Sequence, residues 1–156
     1  MQIRKTKMLN TRTWYGVNAT VIIGPGFRHR GGYGKLLIPH PPVINWLLRR
    51  GLAPTVRENL SFTHEFGHLQ SAPAALLYTA ANFAALLAAD KTTVLTVMLL
   101  LISTHAAYEI MAEVITIRHD HELYRHCYEN ISKIPRAIFW FSMILLALMG
   151  WIIVLP

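Results

Sequence analysis

The motif His64-Glu65-x-x-His68 has the residue types and the spacing that metal-dependent hydrolysis requires. Positions i and i+4 of an α-helix lie on one face, a turn apart, so the two imidazoles can bind one metal ion. Glu65 is one residue along the helix and can reach a water molecule bound to that ion. The motif therefore predicts that His64 and His68 are metal ligands and that Glu65 is the catalytic base.

Two acidic residues, Glu109 and Glu113, lie one helical turn apart in an otherwise uncharged apolar stretch. Carboxylates in such a setting are costly unless they are paired, protonated or bound to a metal. A catalytic Zn²⁺ site needs three protein ligands and one open position, so this pair is the natural source of the third ligand. His105, one turn before Glu109 on the same face, is expected either to contact the site or to bond a neighbouring helix.

An antiparallel pair of helices that turns at residues 90–91 would bring these side chains together. His68 precedes and Glu113 follows that turn by the same number of residues, and Glu109 falls within one helical turn of His68. At 1.5 Å per residue the site lies about 34 Å from the turn, roughly the thickness of the hydrocarbon core. The sequence thus places the site at a membrane boundary. Pro73 is expected to bend or break the first helix, so the levels of the two sets of side chains along the helices agree to about one turn.

The composition indicates an integral membrane protein with a mainly α-helical fold. Of the 156 residues, 53% are hydrophobic and 15% are charged, and the mean hydropathy is +0.35. Such a chain is too apolar for an ordinary soluble domain or for a disordered segment. Uncharged stretches at 73–89, 92–108 and 137–156 predict about three transmembrane or membrane-embedded helices. The lone Cys127 excludes an internal disulfide.

Residues 1–54 are predicted to form an N-terminal cytoplasmic region of a different kind. Strand-forming residues at 17–23 and 33–38, with turn formers between them, predict a small β-hairpin. Residues 43–50 mix apolar and basic side chains in the pattern of a short helix at a membrane surface. A capping-box pattern then marks the start of a membrane-embedded helical domain at residues 55–156.

The basic residues predict how the chain is oriented in the membrane. Ten of the 15 Lys and Arg residues precede residue 58, and the polar segment 118–136 carries four more. By the positive-inside rule, both segments and the site between them face the cytoplasm. Because this charge adjoins apolar helices, an anionic lipid surface is the expected partner and nucleic acid is not.

The chain resembles the gluzincin metallopeptidases, especially the membrane-embedded CAAX prenyl proteases and the bacterial heat-shock membrane proteases. In that family a second helix bearing Glu-x-x-Ala-Asp follows the HExxH helix, and Glu109, Ala112 and Glu113 match it with Glu in place of Asp. The resemblance covers roughly residues 55–120. It implies that Glu109 is the third zinc ligand and that Glu113 orients a ligand histidine. Because Glu is longer than Asp, the assignment between the two glutamates stays open.

The predicted function is zinc-dependent hydrolysis of a peptide bond, in a peptide or membrane-protein substrate, at the cytoplasmic membrane boundary. Zinc would lower the pKa of its bound water toward ~7 and polarise the scissile carbonyl, while Glu65 passes the proton to the leaving amine. Four side chains are candidate donors to the oxyanion: His105, His119, His121 and Tyr124.

Two other classes of protein agree with parts of the sequence. A non-catalytic subunit, with partners in a larger membrane complex, could keep a metallopeptidase-like fold without its activity. A membrane di-iron hydroxylase would use His64 and His68 as one histidine box, although the HxxHH boxes of such enzymes are absent from the sequence. His121 and His126 are five residues apart, do not share a helix face, and are predicted to lie in a solvated loop.

Overall fold

A computed structural model describes residues 7–24, 29–33, 36–40, 48–49, 51–89, 92–129 and 133–154. The fold is mainly α-helical, with a small N-terminal sheet and three helices long and apolar enough to cross a membrane. The fold class predicted from the composition is therefore confirmed. Two predicted features lie outside the described residues, namely the turn at 90–91 and most of the surface helix, at 43–47.

The N-terminal sheet has four antiparallel strands in the order β1-β2-β3-β4. They are β1 (Lys7–Arg12), β2 (Asn18–Ile23), β3 (His29–Tyr33) and β4 (Leu36–His40). Along β2, the buried residues Ala19, Val21 and Ile23 alternate with more exposed ones, as expected for a strand with one face in the core.

The predicted hairpin is part of this larger sheet. The strand predicted at 17–23 is β2, whereas the one predicted at 33–38 covers the end of β3 and the start of β4. The strand that follows β2 in the chain and pairs with it is thus β3, with Ala19 opposite Tyr33. β1 was not predicted, because its side chains are almost all exposed and show no alternation of apolar and polar residues.

Four helices follow the sheet, and one of them corrects a prediction. They are α1 (Pro54–Ala88), α2 (Val94–His119), α3 (His121–Glu129) and α4 (Lys133–Val154). The predicted solvated loop that holds His121 is therefore helical. Asp120 immediately precedes α3, where its carbonyl accepts the first helical hydrogen bond, from the Tyr124 N–H at 2.8 Å. Leu123 and Tyr124 pack with Leu60, and this burial stabilises a segment whose histidines and charges suggest a loop.

Helix α1 is continuous through Pro73, so the expected break is absent. Proline has no N–H, which leaves the carbonyl of residue i−4, here Leu69, without its helical donor. The hydroxyl groups of Tyr15 and Tyr33 donate to that carbonyl at 2.5 and 2.9 Å. The Trp14 indole N–H donates to the next carbonyl, that of Gln70, at 3.0 Å. Side chains from the sheet therefore replace the hydrogen bond that Pro73 removes.

The chain divides into two compact units, through both of which α1 and α2 run. The first comprises Met1–Gln70 with Ala112–Ser132. Its sheet packs on α1 through an apolar cluster in which Leu69, Phe62 and Phe66 meet the inward residues of β2. The motif residues of α1 belong to this unit, so the sheet supports the helix that carries them.

The second unit comprises Ser71–Met111 with Lys133–Pro156. Polar groups join its helices: Tyr78 donates from its hydroxyl to the Ala147 carbonyl at 2.8 Å and accepts from the Trp151 indole at 3.0 Å. A Cβ on Gly150 would lie 2.8 Å from the Cβ of Ser103, so a glycine is needed for this close approach. Small residues and hydrogen bonds at helix contacts are typical of packing in membranes.

Candidate metal centre

The HExxH segment of α1 is among the most buried parts of the first unit. His64, Glu65 and His68 are each 5% exposed or less. Gly67, inside the motif, contacts α2: an added Cβ would lie 2.5 Å from the carbonyl oxygen of Ala112. Only glycine allows such an approach, so Gly67, at a variable position of the motif, permits the two helix backbones to come together.

Three buried residues form a group that could hold a metal ion. One ring nitrogen of His64, one of His68 and one carboxylate oxygen of Glu109 all lie within 4.8 Å of one another. The two imidazole rings meet nearly edge to face, with centroids 4.7 Å apart. Two imidazoles and a carboxylate form a donor set suited to Zn²⁺ and to other divalent transition metals. Helices α1 and α2 therefore bring together the three residues predicted as ligands.

Glu113 lies in the same part of α2 but contacts different groups. Its Oε2 is 2.7 Å from Nδ1 of His64 and also accepts a hydrogen bond from Nη2 of Arg49 at 2.7 Å. Its Oε1 accepts a hydrogen bond from the Tyr124 hydroxyl at 2.8 Å. The carboxylate, 1% exposed, is thus held by three donors. It contacts the ring of a potential ligand in the manner expected of a residue that orients it.

Arg49 is the residue of this site that the sequence analysis missed. The pattern of residues 43–50 predicts a helix at the membrane surface, where Arg49 would meet lipid headgroups. Its side chain is instead 2% exposed and forms an ion pair with Glu113. The available signal is the pair Glu109 and Glu113, because buried carboxylates require a compensating cation. Nothing in the sequence distinguishes Arg49 from the other basic residues that precede residue 58.

The candidate oxyanion donors are in different settings. His105 lies beside one member of the group, with Nε2 3.9 Å from Oε1 of Glu109 and a side chain that is 58% exposed. His119 and His121 are exposed, and His119 has its nearest acidic partner in Asp120. The Tyr124 hydroxyl donates its proton to Glu113 and is therefore committed to that carboxylate. His105 is therefore a candidate that contacts a residue of the group itself, Glu109.

Comparison of the chain with protein-family models, curated proteins and solved structures gives no match. The chemistry of the site is therefore the basis for its function.

Proposed function

We propose that the protein is a membrane-bound, zinc-dependent endopeptidase of the gluzincin type. One observation carries the proposal: a buried group in which both histidines of an HExxH helix approach a glutamate of a second helix, with donor atoms within 4.8 Å. Three protein ligands, one of them a carboxylate, leave the open coordination position that distinguishes catalytic zinc sites from structural ones. The spacing of Glu109 and Glu113 also agrees with the second motif of the family that the sequence resembles.

In this proposal His64, His68 and Glu109 would hold the metal. A bound Zn²⁺ would supply an activated water nucleophile and polarise the scissile carbonyl. Glu65 is buried and follows His64 in the chain. It takes a proton from the attacking water as the water oxygen bonds to the carbonyl carbon. Glu65 then delivers that proton to the leaving amine as the C–N bond breaks. Glu113 holds His64 through Nδ1, which leaves Nε2 of that ring as its metal-binding nitrogen.

The substrate proposed for this site is a peptide or a membrane protein cleaved close to the cytoplasmic surface. Three candidate membrane spans support a location in the bilayer. Large apolar side chains cover the outside of the second unit, as expected where helices contact lipid: Leu76, Leu77, Phe83, Leu87, Val94, Leu95, Ile138 and Phe141. The basic residues that precede residue 58 favour an adjoining anionic lipid surface and the cytoplasmic side.

Metal analysis combined with an activity assay tests the proposal. We expect the purified, detergent-solubilised protein to contain one zinc, and the Glu65→Gln variant to retain it. Hydrolysis of a quenched-fluorescent peptide by Glu65→Gln should fall by at least about 10²-fold, because a general base contributes roughly 10²–10⁴ to the rate. His68→Ala should lose both zinc and activity. The exposed Glu122→Gln variant serves as the matched control for Glu65→Gln and should retain both.

The alternatives give different results in the same experiment. Two irons per chain would favour a hydroxylase, and the lack of any metal would favour a non-catalytic subunit of a membrane complex. Full hydrolytic activity in Glu65→Gln would contradict the proposed mechanism even if zinc were present.

A further inference from the structure

Glu113 has a hydrogen-bonding arrangement that is unusual for a residue inside a hydrophobic helix. Both of its carboxylate oxygens accept hydrogen bonds: Oε1 from Tyr124, and Oε2 from His64 and Arg49. These donors come from three different parts of the first unit, namely α1, α3 and the segment that precedes α1. Hydrogen bonds to both oxygens therefore fix the orientation of the carboxylate.

Arg49 shares an oxygen with the imidazole that Glu113 holds. Its Nη2 and Nδ1 of His64 are each 2.7 Å from the same Oε2 atom. An ionised carboxylate can only accept hydrogen bonds, so the neutral His64 ring must carry its proton on Nδ1 and present its lone pair on Nε2. Any rotation of the Glu113 carboxylate would also move the hydrogen bond that selects this tautomer.

Charge compensation is a second reason why the site needs Arg49. Arg49 and Glu113 are 2% and 1% exposed, and a carboxylate so deeply buried is strongly destabilising without a partner. A guanidinium is suited to this position because it stays charged and donates in a fixed, planar geometry. A neutral donor such as Tyr124 can orient an oxygen but cannot balance the charge.

We propose that Arg49 is a positioning residue for the metal centre, which it prepares by holding the Glu113 carboxylate against Nδ1 of His64. Tyr124 assists by fixing the other carboxylate oxygen. The inference rests on the metal site of the proposed function but not on peptide hydrolysis. A segment that precedes the HExxH helix thereby contributes to a centre whose ligands all lie on α1 and α2.

Cobalt(II) binding tests the role of Arg49 without relying on activity. Co²⁺ is titrated into the metal-free, detergent-solubilised full chain while the visible absorption spectrum reports its affinity and ligand geometry. We expect Arg49→Met to weaken Co²⁺ binding about 10- to 100-fold and to alter the spectrum, because it releases Glu113, and loss of such a partner of a ligand histidine has an effect of that size. Tyr124→Phe should show a smaller change in the same direction. Arg125→Met is the matched control, because Arg125 forms an exposed ion pair with Glu129 and should bind Co²⁺ normally.

A double variant separates positioning from general stability. If Arg49 acts through Glu113, then Arg49→Met combined with Glu113→Gln should bind Co²⁺ no more weakly than Glu113→Gln alone. Arg49→Lys, which keeps the charge but not the planar donor geometry, should restore part of the affinity. Wild-type affinity and spectrum in a folded Arg49→Met protein would overturn the inference. If Arg49→Met does not fold, unchanged Co²⁺ binding by both Tyr124→Phe and Arg49→Lys would overturn it instead.

The outcomes also distinguish this inference from the proposed function. Weak Co²⁺ binding by Arg49→Met in a protein that hydrolyses no peptide would support Arg49 as a positioning residue and count against the peptidase. Strong peptidase activity with unchanged Co²⁺ binding by Arg49→Met would support the peptidase and count against Arg49 as a positioning residue.

Discussion

The positions of Glu109 and Glu113 in the sequence allow either one to be the third metal ligand. Their contacts in the structure favour one assignment. Both are buried, and they lie one turn apart. Glu113 accepts hydrogen bonds on both oxygens from three donors, whereas an oxygen of Glu109 lies within 4.8 Å of a nitrogen of each motif histidine. This difference favours Glu109 as the third ligand and Glu113 as the residue that orients His64.

Replacement of Glu109 should therefore weaken metal binding directly. Glu109→Ala is expected to lower Zn²⁺ affinity by more than about 10²-fold, since loss of a mere partner of a ligand already costs 10- to 100-fold. Competition with a chromophoric chelator measures the affinity. Leu101→Ala is the control on the same helix, because its side chain is 65% exposed, and it should bind Zn²⁺ normally. Wild-type affinity in Glu109→Ala would show that the third ligand lies elsewhere.

At the residue scale, the sequence predicts the parts of the site that have a local signature. The spacing of His64, Glu65 and His68 and the turn between Glu109 and Glu113 can be found because each set lies on one helix. Arg49 pairs with Glu113, which is 64 positions further along the sequence, and no periodicity encodes that contact. Long-range partners of buried charges follow only from the fold.

At the scale of elements, α1 depends on the sheet at the point where Pro73 interrupts its hydrogen bonding. Tyr15 and Tyr33 both donate to the orphaned Leu69 carbonyl, and their hydroxyls also contact each other. Leu69 immediately follows His68. The tyrosine pair thus holds the turn of α1 that carries a proposed metal ligand, and it does so from β3 and the turn between β1 and β2.

A double-mutant cycle tests whether the tyrosines compensate for Pro73. Tyr33→Phe should lower the free energy of unfolding by about 1 kcal/mol, the usual net contribution of one hydrogen bond. In a Pro73→Ala background the new N–H can bond the Leu69 carbonyl, so the same change should cost clearly less. Unfolding in mixed micelles, followed by circular dichroism, provides the measurement.

The control for this cycle is Tyr78→Phe, which removes a partly buried hydroxyl of the second unit that donates to the Ala147 carbonyl. Its effect on the free energy of unfolding should be the same with Pro73 or Ala at position 73. If the cost of Tyr33→Phe is equally unaffected by Pro73→Ala, the tyrosines have a role other than replacing the missing hydrogen bond.

Element prediction succeeds where hydrophobic pattern dominates and fails where tertiary contacts decide. The three long helices and β2 have clear apolar signals. β1 is an exposed edge strand without alternation, and α3 depends on the burial of Leu123 and Tyr124 against neighbours distant in the sequence. The expected break at Pro73 assumed an isolated helix, whereas the tyrosines of the sheet donate to its freed carbonyl.

At the scale of the whole molecule, the three candidate spans make a definite prediction about membrane topology. If α1, α2 and α4 each cross once, the connection between α1 and α2 lies on the opposite side from the end of α2. The positive-inside rule predicts that Arg118, at that end, is cytoplasmic and that Thr92, before α2, is external. Both side chains are exposed, so each position can be probed without disturbing a buried contact.

Cysteine labelling decides this topology, because Cys127 is the single native cysteine and can be removed as Cys127→Ser. In that background, Thr92→Cys should react with a membrane-impermeant maleimide in intact cells, whereas Arg118→Cys should react only after permeabilisation. The Cys127→Ser protein alone should remain unlabelled in both conditions. Labelling of both positions in intact cells would mean that α2 does not cross the bilayer. The reverse pattern would place the HExxH site on the external side, where a cytoplasmic peptide could not reach it.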